Sequence, residues 1–355
     1  AFARVGAGIQ MTPNAMKVLR GLGLEERLRA VAFEPQKGLN RDYDTGKVTN
    51  ELPLGEGSEE RFGAPYLLMH RGDLHRGLED LVPAASVHLT RKLARYEQDA
   101  QGVTLHFTDG SSARADVLIG ADGVHSVVRE QMLGPEKPRF TGRVAYRTTF
   151  PASLMGGVRL PAARTKWWGP DRHIVIYYVT RNADEVYFVT SQPEGVEWMT
   201  PESWSSKGKL EELRAAFAAF HPEVQAVLAA CPEVYKWALL ERDALRTWVD
   251  GRVALLGDAC HPMTPYMAQG AASALEDSVI LARSLAQADA ADPASVHQAL
   301  VRYEAVRKPR ASAIQGTSRE NTWMRQATDP MWVYGHDVWQ EPLPQRSEEH
   351  TSELQ

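Results

Sequence analysis

The spacing of apolar positions changes character several times along the 355-residue chain, and each change marks an element. Met16, Leu19, Leu22 and Leu24 form a helical stripe behind Thr12-Pro13-Asn14, where Thr12 or Asn14 can cap a helix and Pro13 suits its first turn. A shorter helix is predicted over Asp73–Leu81, with Leu74, Leu78 and Leu81 on one side. Strand-like pieces follow at Ser86–Leu89, Ala94–Gln98 and Val103–Phe107, the last closed by a Thr108-Asp109-Gly110 turn. Ala115–Ile119 and Arg252–Leu256 differ from these. They are short continuous apolar runs of the kind that a parallel sheet buries on both faces. Between them, residues 139–192 alternate with period two and carry many aromatic side chains, the pattern of a largely antiparallel sheet. Lys209–Leu228, Ala271–Gln287 and Val296–Glu320 read as helices. The remaining C-terminal residues read as loop, with the aromatic cluster Trp323, Trp332, Tyr334 and Trp339.

The pattern predicts an α/β chain with an α+β insert. Two βα units of a Rossmann-like parallel sheet flank an antiparallel sheet, and a ligand is expected between the two layers. Residues 1–138 form the first part of the nucleotide-binding layer, 139–245 the antiparallel substrate domain, and 246–340 the second part with the C-terminal helices. The polar tail RSEEHTSELQ (346–355) reads as disordered or non-native sequence.

Composition narrows the partners. With 43% hydrophobic and 24% charged residues and a formal net charge of -5, the chain has ordinary globular composition. The mild acidity argues against nucleic acid or an anionic membrane surface as the main partner. No apolar run approaches the roughly 20 residues needed to cross a bilayer, no signal peptide is visible, and the cytoplasm is the expected compartment. Cys231 and Cys260 lie far apart in sequence without metal-ligand spacing, so neither a disulfide framework nor a zinc site is expected.

Two loops carry candidate chemistry. In GADGVHSVVR (Gly120–Arg129) a buried strand ends in a tight turn, with Asp122 where ligands dock in open α/β sheets; the same aspartate can equally cap the following helix. In GDACHPMTPYMAQGAASALED (Gly257–Asp277), Gly257 permits close backbone approach and Asp258 can accept from sugar hydroxyls. Pro262 and Pro265 stiffen the loop, and Gln269-Gly270 opens a helix whose free N–H groups can stabilise negative charge on a ring. Within DRHIVIYYVT, alternation places His173, Val175 and Tyr177 on one strand face. By rise alone His173 and Tyr177 are about 13 Å apart, close enough to share a pocket but not to hydrogen-bond.

These blocks, with RVGAGIQMTPNAMKVLRGLGLEERL, HRGDLHRGL, KWWGPDRHIVIYYVT and WVYGHDVW, resemble the group A flavoprotein monooxygenases of the aromatic-hydroxylase type over residues 1–340. The hydroxynicotinate and salicylate hydroxylases are the most similar branch. The resemblance implies FAD as cofactor, NADH or NADPH as co-substrate, and O₂. One oxygen atom would pass from a C4a-hydroperoxyflavin to a small aromatic acid, with CO₂ lost where the attacked carbon carries a carboxylate. It implies that Arg71 reaches the FAD phosphate and ribityl region, and that Asp122 serves the pyrophosphate region and the nicotinamide cofactor. Gly257 and Asp258 would bind the ribityl chain, and Pro265, Ala268, Gln269 and Gly270 would lie along the isoalloxazine; Ala268 replaces the first glycine of the usual GQG. Arg4 would lie beside the flavin.

On the substrate side, His173 and Tyr177 would position the ring and handle its proton. Gln10 stands where the hydroxynicotinate enzymes carry a His, and Arg164 where they carry a Cys. An arginine there can pair with a substrate carboxylate or be solvated at the surface. The segment Met331–Trp339 can pack over the cleft or serve a subunit contact in a homodimer. The family opens with a strand and a GxGxxG phosphate turn, which are not found ahead of Ala1. Amino-terminal truncation, with weak or absent FAD and no catalysis by the chain alone, is therefore one expectation; a same-group hydroxylase with another aromatic substrate is another.

Overall fold

The long strand Arg139–Pro151 carries Val144, Tyr146, Thr148 and Phe150 in alternation, and it is the spine of the larger sheet. The computed structural model describes residues 7–195 and 206–344; Arg4 and the 346–355 tail lie outside the described residues. In spatial order the sheet runs Tyr235–Glu241, Arg139–Pro151, Glu185–Pro193, His173–Tyr178, Ala163–Trp168, Lys37–Asp42 and Val48–Pro53. Its pairings are antiparallel except that Ala163–Trp168 runs parallel to Lys37–Asp42. The antiparallel insert read from 139–192 is thus present. It is completed by two strands from within residues 1–138, where the alternation is too polar to announce them.

Both faces of this sheet are covered. Trp167 turns to one side and stacks on His221, at the start of the helix Pro222–Ala230. That helix and Leu210–Ala216 bury Leu213, Phe217, Val224, Val227 and Leu228 in the same core as Ile174, Ile176 and Phe188. Each such side chain contributes roughly 1.5–3 kcal/mol by leaving water. The single helix expected over Lys209–Leu228 is therefore two. Pro222 has no N–H to continue a preceding helix, and His221 instead caps the new one by accepting from the Glu223 N–H.

The two continuous apolar runs pair as expected. Val253–Leu255 lies parallel to Leu118–Gly120, with Val249–Asp250 antiparallel on the outer side. Gly120 is packed so closely that a Cβ there would sit 2.8 Å from Val128, at the start of the helix Val127–Leu133. Against this sheet lie the helices Gly270–Leu285 and Pro293–Arg319. The first helix, Pro13–Gly21, buries Ala15, Met16 and Leu19, and the expected Asp73–Leu81 helix spans Arg71–Glu79. The strands expected at Ala94–Gln98 and Val103–Phe107 are present as Leu93–Asp99 and Gly102–Phe107, which pair as a hairpin and are joined by Ser112–Ala115. Ser86–Leu89 is not a strand: Ala84–Ser86 is a 3₁₀ turn, and Val87 and Leu89 are exposed, with no neighbouring strand to bury them. Among the described residues no helix is long and apolar enough to cross a membrane.

Candidate active site

One cavity opens between the sheet and the loop before the Gly270 helix. Gln10, Arg164, Lys166, His173, Tyr266 and Ala268 are among its lining residues. The strand Gly8–Met11 delivers Gln10, whose Oε1 accepts from the Tyr66 hydroxyl at 2.5 Å. Its side chain also lies close to the Tyr177 hydroxyl. Tyr177 is buried but does not line the cavity, while His173, four residues earlier on the same strand face, lines it directly. Burial pushes the Tyr66 and Tyr177 phenols well above their ordinary range, so both remain protonated donors.

Alternation along Ala163–Trp168 turns Arg164, Lys166 and Trp168 toward the cavity side. Arg164 is 6% exposed, and its Nε has no hydrogen-bond partner. The Tyr66 hydroxyl lies beside its guanidinium group. This is a buried arginine, not the solvated one that the sequence left open. Lys166 is equally buried; its Nζ sits 3.8 Å from the Trp168 ring centroid and 5.9 Å from that of Tyr266. His173 packs against the same two rings, at 5.1 and 5.4 Å. Burial, followed by the Lys166 charge, holds the His173 imidazole well below its ordinary value of 6.5, so it rests neutral. Burial also drives Lys166 well below the usual ammonium range, reinforced by Arg164, Arg143 and Arg325.

Sequence reasoning passed over Lys166 and Tyr66 as cavity residues, and named Tyr266, Trp323 and Tyr334 only as parts of a loop or an aromatic cluster. Tyr266 is anchored by Ser191, its hydroxyl 3.0 Å from the serine Oγ. Trp323 and Tyr334 line the cavity from the C-terminal segment, their rings 6.5 Å apart and edge to face. Part of the Met331–Trp339 segment thus packs over the cleft. Trp339 instead ties down to the first helix, donating to the Lys17 carbonyl at 3.1 Å.

A second group of residues gathers around the start of the Gly270 helix. Gly257, at φ 62°, ends the buried strand in the left-handed turn that favours glycine. Asp258 follows. Its side chain meets solvent, although protein surrounds it closely enough that burial raises its carboxyl above the ordinary value, with His261 and Arg71 opposing. The carboxylate is thus open to solvent yet closely surrounded by protein. Its Oδ1 is 3.9 Å from where a Cβ on Gly270 would lie, at the start of the sixteen-residue helix Gly270–Leu285. Gln269, the residue before that helix, makes no capping bond with its side chain; its amide is held by Thr12 and Asn14. The first-turn N–H groups therefore take no cap from that side chain. Pro265–Met267 is a 3₁₀ turn, and Ala268 sits at φ 55°.

This donor set fits FAD: an uncapped helix terminus for a ring that takes up negative charge, a wet carboxylate for ribityl hydroxyls, and Arg71 near that carboxylate for phosphate. Asp122 stands differently. Its carboxylate bonds the Ser126 hydroxyl at 2.5 Å and the Val127 N–H at 2.8 Å, capping the helix Val127–Leu133.

Further along the Gly270 helix lies a buried charge network. Arg307 bridges Glu276 and Asp277 at 2.8 and 2.9 Å, Arg310 holds Glu276 at 2.9 Å, and Asn14 donates to Glu276 at 2.7 Å. Cys260, His261 and Asp277 each bring one metal-ligating atom within 4.8 Å of the others. The Asp277 oxygens are already taken by His261, Arg307 and the Gly257 N–H, so the cluster is closed by protein donors. Cys231 and Cys260 are both free and buried.

The FAD binding domain family matches residues 4–318. The chain is 46% identical to 6-hydroxynicotinate 3-monooxygenase of Bordetella bronchiseptica, over 97% of this chain and 88% of that protein. It is 39% identical to 3-amino-4-hydroxybenzoate 2-monooxygenase of Streptomyces cremeus, over 93% and 86%. Among solved structures, a salicylate hydroxylase substrate complex superposes with a TM-score of 0.83 at 26% identity, covering 97% of this chain and 92% of that one. HpxO of Klebsiella pneumoniae, complexed with FAD and uric acid, gives 0.79 at 28% identity, over 94% and 82%. The extent of these matches establishes that the chain belongs to the FAD binding domain family, among the FAD-dependent aromatic monooxygenases.

Proposed function

We propose that the protein hydroxylates a small aromatic acid of the hydroxynicotinate or salicylate type, with loss of CO₂ where the attacked carbon bears the carboxylate. The observation that carries this reading is the buried Arg164 in an aromatic-walled cavity beside Gln10 and His173. A cation with no carboxylate partner among the described residues, walled by rings, suits a planar organic anion.

FAD, when bound, supplies the redox chemistry, passing reducing equivalents from NADH or NADPH to O₂ and delivering one oxygen atom to the ring. Asp258, Arg71, Gly257 and the Pro265–Gly270 loop would hold it. Arg164 takes the substrate carboxylate. His173, neutral at rest, accepts a hydrogen bond from the ring hydroxyl and draws electron density into the ring. It is a poor store for the proton, because a second positive charge beside Lys166 is disfavoured. The Tyr66 hydroxyl, held on Gln10 and kept protonated by burial, is a hydrogen-bond donor at the cavity wall. Trp323 and Tyr334 exclude water from the reacting face.

The test is NAD(P)H oxidation stimulated by a panel of 6-hydroxynicotinate, salicylate and hydroxybenzoates, with product and CO₂ analysis. Flavin absorbance of the purified protein is recorded first, so that a protein without FAD is recognised as such. Failure of every aromatic acid to stimulate the flavin-loaded protein would overturn the proposal.

A further inference from the structure

We infer that Arg164 and Lys166 together form a two-point anion site, so that among ring acids this cavity prefers one with two carboxylates, one on each cation. The inference rests on the reading that the cavity binds an aromatic acid.

The two residues stand at positions i and i+2 of one strand, on one face, with Cα atoms about 6.6 Å apart by strand rise. Both are buried, at 6% and 4% exposure. Removing a charge from water costs several kcal/mol unless a partner replaces the solvent. Among the described residues, neither has a carboxylate partner. Arg164 keeps an unbonded Nε, and Lys166 meets aromatic faces, which compensate an ammonium group only in part.

Their surroundings add no negative charge. On the neighbouring strand His173 is neutral. From Arg139–Pro151 comes Arg143, bonded to Ser191 and to the Asp171 carbonyl, and from the C-terminal segment comes Arg325, over Trp168. Tyr266, on the cofactor-side loop, stays protonated because burial raises its phenol. The charged groups that act on Lys166 are Arg164, Arg143 and Arg325, all of them cations. One carboxylate on Arg164 therefore leaves the Lys166 end of the field unanswered.

The two ends are chemically separate. Arg164 lies toward Tyr66 and Tyr334, whereas Lys166 lies among Trp168, His173 and Tyr266. Two cations with separate surroundings on one cavity wall suit two carboxylates on one ring better than one carboxylate shared by both.

The test is calorimetric binding to the flavin-loaded protein, comparing hydroxybenzene monocarboxylates with their 1,3- and 1,4-dicarboxylate counterparts. The expected result is at least about tenfold tighter binding of a dicarboxylate, the usual worth of one charge-assisted hydrogen bond. Lys166→Met should abolish that preference while changing monocarboxylate affinity by less than about threefold. Arg164→Leu should weaken both classes.

Equal affinity for the two classes, or a preference that survives in Lys166→Met, would overturn the inference while leaving the aromatic-acid reading standing. A Lys166→Met protein with altered flavin potential and unaltered acid preference would assign Lys166 to the cofactor and overturn it as well. If no acid of either class binds, both readings fall together.

Discussion

Asp277 Oδ2 lies 2.5 Å from His261 Nε2, and the same oxygen accepts the Gly257 N–H at 3.2 Å. One carboxylate on the Gly270 helix thus fixes both ends of the turn that carries Asp258. Burial alone would raise this carboxyl, but His261 and Arg307 outweigh it and hold the group ionised. Asp277→Asn keeps the shape and removes the charge, leaving Arg307 and His261 short of a partner. We expect a loss of roughly 3–5 kcal/mol of stability, typical of a broken buried pair. FAD should also bind at least about tenfold more weakly as Gly257 and Asp258 lose their fixed position. Titration of the apoprotein with FAD, followed by flavin fluorescence, measures the second effect. Unchanged FAD affinity in a folded Asp277→Asn protein would show that the turn holds its shape without this carboxylate.

Glu276 makes acid stability predictable. Burial works to raise its carboxyl, yet Arg307 and Arg310 overcome that and hold it at about 2, against an ordinary 4.5. A carboxyl depressed in the folded state contributes stability that is complete above its unfolded value and is lost as pH falls toward the folded one. Glu276 should therefore cost the protein roughly 3 kcal/mol between pH 4.5 and about 2. Glu276→Gln should be less stable at neutral pH but should lose less on acidification. Urea unfolding midpoints at pH 6, 4.5 and 3 distinguish the two slopes, and parallel slopes would refute the assignment.

Ala268 occupies left-handed backbone at φ 55°, a conformation that costs a residue with a Cβ about 1–2 kcal/mol. Ala268→Gly relieves this strain while adding freedom to the unfolded chain, worth roughly 0.4–1 kcal/mol in the other direction. The net expectation is a small gain in stability, with a melting midpoint equal to or slightly above that of the parent. A clear fall in the midpoint would mean that the methyl group packs more usefully than its backbone suggests.

Whether a feature was legible in the sequence depends on how far apart its partners lie. The two parallel strands announced themselves because burial on both faces leaves an unbroken apolar run. His173 was legible because alternation over Ile174–Tyr178 sets its face. Lys166 was not, since a lysine between threonine and tryptophan reads as a solvated position; only the register Lys166 opposite Val175 and Trp168 opposite His173 brings it into the cavity. Tyr66 and Tyr334 meet Arg164 across 98 and 170 positions of sequence, and no local period records such a contact. The Glu276–Arg307 pair likewise joins two helices whose residues each look like ordinary surface charges. Asp122 shows the reverse limit, where one aspartate satisfied two readings and its hydrogen bonds display the cap.

His173 provides the most direct kinetic test of the site. Its imidazole is buried against Trp168 and Tyr266 and held well below 6.5, first by burial and then by Lys166. A basic group with a lowered value is neutral above that value and charges only in more acid solution. If the neutral ring is the working form, activity should show no loss attributable to His173 as pH falls from 7.5 to 6.5. His173→Gln retains hydrogen-bonding capacity but removes the imidazole acceptor, and kcat should fall by about 10²-fold, the lower end of acid–base contributions. KM should change little, because Arg164 supplies the carboxylate contact. A wild-type ionisation near 6.5 that disappears in His173→Gln would show that the imidazole titrates where solvent-exposed histidines do. An enclosed, positively charged pocket around His173 would then be ruled out at its centre.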